Sequence, residues 1–347
     1  MSTGEDVNVS KVAEQRARVK RALADMALAY EIVGDGWRAK AFRRADRLID
    51  AVERKGSTTG NGTGSRYVVL LERPEEAPGI GPSIASFIQS LSRANNNDEI
   101  NSIVAKKTSS FVDAKRLDAY RLLIGVLGVG HTLALHLINH DGVTNLEQLR
   151  KHAVAVGNTL IQNGIKHYKD LNSKMPRDTA KDAVRKLREA VTCIFPGLDE
   201  TAIIPLGSYR RGNSEVGDID LLVNERVDLG RLAAALPRVL GEKAYVSTVT
   251  KGKRRHSFLF RHKKRVMRVD IFAMHDPKER PTFILHATGS ADHNEFLRHV
   301  AKSKGMLLNE YGLFDITTRR RKPRVKEESD VYRVLGIPYV PPHERRG

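Results

Sequence analysis

The run Asp218-Ile219-Asp220-Leu221-Leu222-Val223 sets two carboxylates two residues apart at the entrance to an apolar strand. Side chains alternate along a strand, so residues i and i+2 share a face roughly 7 Å apart. Two carboxylates held that way repel unless a cation lies between them, and a divalent metal is the obvious cation. The residues ahead of them, Gly207-Ser208-Tyr209-Arg210-Arg211-Gly212-Asn213-Ser214-Glu215-Val216-Gly217, read as a Gly-Ser turn leading into a short polar helix. Its free N–H groups, with the Ser208 hydroxyl and Arg211, would receive phosphate oxygens. Metal and phosphate then meet at one place.

A third acid, Asp270, lies fifty residues further on in Arg265-Val266-Met267-Arg268-Val269-Asp270-Ile271-Phe272-Ala273-Met274. Met267, Val269, Ile271 and Ala273 alternate with Arg268 and Asp270, a period of two that predicts a strand with one buried face. The same alternation points Arg268 and Asp270 to one side, where the arginine can bias the ionisation of the acid.

The chain has 347 residues and 40% apolar content, enough for two or three globular domains. No apolar run approaches the length of a membrane span. The single cysteine, Cys193, excludes a disulfide framework and suits a reducing, intracellular compartment; its apolar surroundings predict a buried packing residue. Fifty-nine Lys and Arg against 41 Asp and Glu leave a formal charge of +18, which draws the chain toward polyanions, nucleic acid above all.

Helical spacing of Val12, Val19, Leu23, Met26 and Ala27, and again of Ala41, Ala45, Leu48, Ile49 and Val52, predicts two helices broken at Gly34-Asp35-Gly36. Gly56 to Ser65 reads as a flexible inserted loop. Two similar units follow, Pro78-Gly79-Ile80-Gly81 ahead of Pro82 to Ile88, and Leu127-Gly128-Val129-Gly130 ahead of His131 to Ile138. Each sets a Gly-apolar-Gly hairpin before an apolar helix, which lets backbone N–H groups approach a phosphate without side-chain obstruction. His131, His136 and His167 read as ordinary helix or loop histidines, with no His-x3-His or His/Cys grouping given a converging partner. Lys251 to Arg265 reads as a basic loop between strands, and Arg319 to Lys326 as a second basic cluster; either suits DNA phosphates, the second also a nuclear address.

The run from Gly207 to Asp220 resembles the signature G-S-x-R-R-G-x-x-x-x-G-D-h-D of the X family of DNA polymerases, h being apolar, and the two Gly-x-Gly units resemble helix-hairpin-helix motifs. The likeness extends over nearly the whole chain and is nearest to the family's beta-type members. It implies an α+β multidomain fold: a helical, lyase-like DNA-binding domain over 1–92, a helix-hairpin-helix subdomain over 93–176, a nucleotidyltransferase palm with a mixed sheet over 177–275, and a small α/β thumb over 276–347. It further implies that Asp218, Asp220 and Asp270 bind two Mg²⁺ ions, replaceable by Mn²⁺, with Ser208, Arg211, Gly217, His286, Gly289 and Asn294 at the nucleotide. Gly79, Gly81, Gly128, Gly130, Arg268 and Arg298 would contact DNA, and the carbonyls of Ile80, Val126 and Val129 would hold Na⁺ or K⁺. The implied activity is template-directed filling of short gaps in DNA from dNTPs by a monomer, as in base excision repair. The alternatives are a DNA-binding repair scaffold, against which the three acids argue, and an untemplated terminal transferase, against which the short span between Asp220 and Asp270 argues. No BRCT-like extension is visible, which weakens an end-joining role.

Two departures stand out. Beta-type members carry a Schiff-base lysine six residues after the second glycine of the first hairpin, where this chain has Phe87, and a supporting lysine is replaced by Arg38. An imine cannot form at Phe87, so 5′-deoxyribose phosphate lyase activity is expected to be weak or absent. Before the thumb turn a usual aromatic pair is replaced by His286-Ala287, and a nearby acid by Ala291, which puts discrimination against ribonucleotides in doubt.

Overall fold

The computed structural model describes residues 4–56, 73–76, 80–94, 96–199, 202–274, 276–322 and 325–345, without side-chain detail for 4–13, 50–56 and 76. The chain divides into two compact units, Met1–Ala155 and Val156–Gly347.

The first unit is helical among its described residues. Helices α1 (Gly4–Ile32) and α2 (Gly36–Gly56) pack together, separated by the predicted break, where Gly34 takes φ +80° and Asp35 receives the Arg38 N–H at 3.0 Å. Helices α3 (Pro82–Ser92), α4 (Asn97–Thr108) and α5 (Ala114–Ile124) follow, then α6 (His131–Asn139) and α7 (Leu146–Ala155). Asn96 and Asp113 cap α4 and α5 through their side chains, satisfying first-turn N–H groups. Val19, Leu23, Met26, Ile49, Ile84, Phe87, Ile88 and Leu91 form the core. Phe87 is 2% exposed, edge-on to Phe42, with the Lys107 ammonium 5.3 Å from its ring centre. Pro78, Gly79 and residues 57–65 lie outside the described residues, and Val12 and Val52 lie in α1 and α2 without side-chain detail.

The second unit opens with α8 (Thr159–Lys166), α9 (Tyr168–Leu171), β1 (Met175–Pro176) and α10 (Arg177–Ile194). Next come β2 (Ile203–Pro205), α11 (Gly207–Arg210), β3 (Glu215–Val216), β4 (Ile219–Val223), α12 (Leu229–Leu240), β5 (Tyr245–Lys251), β6 (Arg255–His262) and β7 (Arg265–Ala273). The main sheet runs β2-β4-β7-β6-β5, with β4 and β7 parallel and the other pairs antiparallel. Helices α10 and α12 cover one face: Leu187, Val191, Leu232 and Leu236 meet Ile219, Leu221, Val223, Val269 and Ile271 in one core. The alternate residues of β4 and β7, Asp220 and Asp270 among them, therefore face the other way. Beyond the sheet, α13 (Arg280–Thr288), α14 (Ala291–Ser303), the hairpin β8 (Met306–Asn309) and β9 (Gly312–Asp315), and α15 (Glu328–Leu335) enclose a separate core of Leu285, Leu297, Leu308, Leu313, Val331 and Tyr332.

Two expectations are corrected. Cys193 is exposed rather than buried. The buried stripe of α10 runs through Ala183, Leu187, Ala190, Val191 and Ile194, and position 193 falls off that stripe at helical spacing. The basic stretch 251–265 is not a loop but chiefly strand β6, because Phe258 and Phe260 are drawn into the core. Its charges divide between the two ends of β6, roughly 24 Å apart at ~3.4 Å per residue. There Arg254 pairs with Glu279 and Lys263 with Asp182 at 2.8 Å.

Candidate active site

The site begins with a glycine that no other residue could replace without disturbance. Gly207 takes φ +58°, and a Cβ there would sit 2.6 Å from Asp220 Oδ2. The preceding residue is tied to the same strand, Leu206 N–H donating to the Asp220 carbonyl at 2.8 Å. The chain thus turns tightly off β2 into the single helical turn α11, so Ser208, Arg210 and Arg211 are presented beside the end of β4. Gly212 at φ +79° ends that turn, and exposed Gly217 has open space where a side chain would be.

Parallel pairing of β4 with β7 places Asp220 directly opposite Asp270. Asp218, just before β4, completes the group: donor oxygens of Asp218, Asp220 and Asp270 all lie within 4.8 Å of one another, the only such metal-ligand group among the described residues. Asp270 is 4% exposed, whereas Asp218 and Asp220 are half-buried. Burial, reinforced by the neighbouring Asp218 and Asp270 charges, pushes Asp220 up to about 7. An all-oxygen, anionic, partly desolvated set of this kind fits a hard divalent cation, which would relieve the repulsion that now favours a proton. Arg268 meets two of the acids, its Nη2 lying 2.7 Å from Asp218 Oδ2 and 3.3 Å from Asp270 Oδ2. The shared face read from the alternation of β7 is therefore present.

The thumb turn adjoins this group. Arg211 donates to the Thr288 carbonyl at 2.6 Å, and burial lowers the Arg211 pKa. Gly289 follows at φ +71°, where a Cβ would come within 3.2 Å of Arg211 Nη1; the Gly289-Ser290 peptide is cis. Ser290 caps α14 by accepting the His293 N–H at 3.3 Å. Buried Asn294 donates to the His286 carbonyl at 2.7 Å, and His286, Asn294 and Arg298 line one shallow cavity with Leu285, Leu308 and Asn309.

Sequence reading missed the residues that hold this turn. Arg210 donates to Thr288 Oγ1 at 2.7 Å and to both Glu328 oxygens at 3.2 and 2.8 Å. Fully buried Arg345 donates to Glu328 at 2.6 Å and lies over the rings of Tyr332 and Tyr339. Burial alone would raise the Glu328 pKa, but hydrogen bonds from Arg210 and Arg345 hold it below the usual carboxylate range. The signal available was Arg210 itself, inside the motif and without an assigned partner.

The hairpin residues belong to the first unit. Gly81 and Gly130 are the N-caps of α3 and α6, with near-identical dihedrals of −81°, 164° and −89°, 173°. Neither has any atom within 4 Å of where a Cβ would stand. Gly128 takes φ +94°, Ile80, Val126 and Val129 are buried, and the Val126 carbonyl accepts the Val129 N–H at 2.9 Å.

Comparison with known proteins supplies the relationship. Residues 174–259 match the DNA polymerase beta palm family and residues 283–346 the DNA polymerase beta thumb family. The chain is 25% identical to DNA polymerase lambda of Rattus norvegicus over 356 residues, covering 96% of this chain and 57% of that protein. It is 24% identical to DNA polymerase lambda of Arabidopsis thaliana, covering 98% of this chain and 64% of the relative. DNA-directed DNA/RNA polymerase mu of Homo sapiens is 25% identical over 67% of this chain and 53% of its own length. The chain spans less than two thirds of each of these relatives. A mixed sheet carrying three clustered carboxylates is followed by residues that match the thumb model. In its palm and thumb segments and along its aligned length the chain is similar to X-family DNA polymerases. Among the described residues no helix is long and apolar enough to cross a membrane.

Proposed function

We propose that this chain fills short gaps in DNA by template-directed nucleotidyl transfer, in repair of the base-excision kind, acting as a monomer. The observation that carries the reading is the convergence of Asp218, Asp220 and Asp270 within 4.8 Å beside the Gly207 turn. Two Mg²⁺ ions held by these carboxylates, with Mn²⁺ as a substitute, would supply activation of the primer 3′-hydroxyl and neutralisation of the leaving pyrophosphate. Asp270, buried and beside Arg268, is the acid placed to take the hydroxyl proton. Ser208, Arg211 and the N–H groups around Gly217 receive the triphosphate, whose positioning accounts for most of the catalysis in phosphoryl transfer. His286, Gly289 and Asn294 border the nucleotide, and Arg268 and Arg298 meet DNA. In the first unit Gly79, Gly81, Gly128 and Gly130 approach backbone phosphates, and the carbonyls of Ile80, Val126 and Val129 hold a monovalent cation there. That part rests on the open space at Gly81 and Gly130 and on the +18 charge.

Primer extension on a one-nucleotide gap tests the reading. Asp270→Ala should bind gapped DNA nearly as the parent does and extend it several orders of magnitude more slowly. Full extension by Asp270→Ala would overturn the assignment, and binding without any extension by the parent would leave a repair scaffold. Incorporation independent of the template base would leave terminal transfer.

A second reading concerns the sugar. Ala287 offers little bulk beside the thumb turn, exposed His286 is its neighbour, and one relative carries DNA/RNA in its name. Ribonucleotide incorporation within about tenfold of deoxyribonucleotide would support relaxed selection, and Ala287→Tyr should then restore the preference for dNTP.

A further inference from the structure

We propose that His136, His140, Asp141 and His152 form a transition-metal site, independent of the aspartate group, that takes Zn²⁺ or a cation of similar softness. His136 and His140 stand one turn apart at the end of α6, their ring centres 4.9 Å apart. Gly142, at φ +63°, reverses the chain directly after Asp141, and Val143 N–H fixes the reversal on the Leu137 carbonyl at 2.9 Å. Helix α7 is anchored by buried Leu149 and Ala153, which returns His152 to the reversal. Asp141 Oδ2 consequently lies 3.3 Å from His136 Nδ1 and 3.9 Å from His152 Nδ1.

Those distances are longer than the ~2.9 Å usual for an N–H···O hydrogen bond. Tetrahedral ligands at about 2.0–2.1 Å from one ion stand about 3.3 Å from each other, so the first separation is already that of two ligands sharing a metal. The second needs to close by roughly 0.6 Å. The donors do not all converge yet, since among the described residues only the aspartate group has three within 4.8 Å. Binding therefore requires side-chain rotation, for which His136, His140 and Asp141 are exposed and His152 half-buried.

Ligand chemistry separates the two sites. Three imidazoles and one carboxylate select Zn²⁺, Co²⁺, Ni²⁺ or Cu²⁺, whereas the all-oxygen group suits Mg²⁺. An ion here would fasten the end of α6 to α7 within the first unit. The sequence reading passed over the pair His136-x3-His140 because its third ligand, His152, lies twelve residues further on and is brought back only by the turn at Gly142.

Co²⁺ titration of the untagged full-length chain in excess Mg²⁺, read by visible absorption and by equilibrium dialysis with Zn²⁺ competition, tests the site. One tightly held equivalent with a tetrahedral spectrum is expected, unchanged in Asp218→Asn/Asp270→Asn. His136→Ala/His152→Ala should weaken it by at least the roughly 10–100-fold that even outer-shell changes cost. His152→Gln serves where the double variant does not fold, and His131→Ala is the control for scattered histidines. Absence of a saturable tetrahedral band, loss of the ion in the aspartate variant, or equal weakening by His131→Ala would overturn the proposal.

Discussion

Replacing Gly207 by Ala adds one methyl group at the tightest point of the aspartate site. The backbone cost comes first: an L side chain at φ +58° is strained by about 1–2 kcal/mol. The contact cost is more specific. The new Cβ would lie 2.6 Å from Asp220 Oδ2, and real Cβ contacts essentially never fall under 3.0 Å, so carboxylate or turn must move by at least 0.4 Å (3.0 − 2.6). Metal ligands tolerate about ±0.2 Å, and a misplacement of about 1 Å at a reacting centre costs about 100-fold in rate. Gly207→Ala should therefore fold, with a modestly lower Tm, and extend gapped DNA roughly 10- to 100-fold more slowly. Gly241→Ala is the control for positive-φ strain without crowding: it sits at φ +83° and ψ 149°, where an L residue is also strained, with nothing within 4 Å and no contact to a site residue. Single-turnover extension and thermal melts of the two variants separate the effects. Equal rates in Gly207→Ala and the parent, or equal slowing by Gly241→Ala, would refute the crowding argument.

Glu328→Gln should cost about 3 kcal/mol in urea denaturation, because it leaves Arg210 and the buried Arg345 without their counter-charge; a loss under about 1 kcal/mol would show that the arginines find other partners. Burial, with a smaller push from Arg345, depresses His293 to about 4 from its usual 6.5, while the unfolded chain takes up the proton at the usual value. Stability should thus fall as pH drops from about 6.5 toward 4, and His293→Gln should flatten that dependence in urea midpoints measured between pH 7 and 5. Affinity for gapped DNA should fall steeply with salt and differ little between unrelated sequences, as fluorescence anisotropy would show. Borohydride should trap little covalent adduct on an incised abasic duplex, because buried Phe87 has no amine; efficient trapping would direct attention to Lys107, whose ammonium lies 5.3 Å from the Phe87 ring centre.

The parts of the fold that were legible in the sequence are those set by local periodicity. Alternation in 265–274 predicted β7, and the break at Gly34 separated α1 from α2, because in each case near neighbours determine the outcome. Periodicity failed where packing decides. Cys193 looked buried from its apolar neighbours, yet the helical turn carries it off the core stripe. The 251–265 charges looked like a loop until Phe258 and Phe260 were seen to be core residues between them.

The aspartates and the arginine network differ for the same physical reason. Asp218 and Asp220 are two residues apart at the mouth of one strand and so are neighbours by sequence alone, and Asp270 needed only one further step, a strand of the same sheet in register with the first. Arg210 and Glu328 are 118 residues apart, and neither sits in a pattern that names the other. What joins them is the thumb core: Leu285, Leu297, Val331 and Tyr332 pack α15 against α13 and α14, so the first turn of α15 arrives beside Thr288. The carboxylate there becomes tolerable in a buried position only because two guanidinium groups converge on it. Chemistry borne on one strand pair is written locally, whereas the support that orients the thumb turn exists only once three helices have packed.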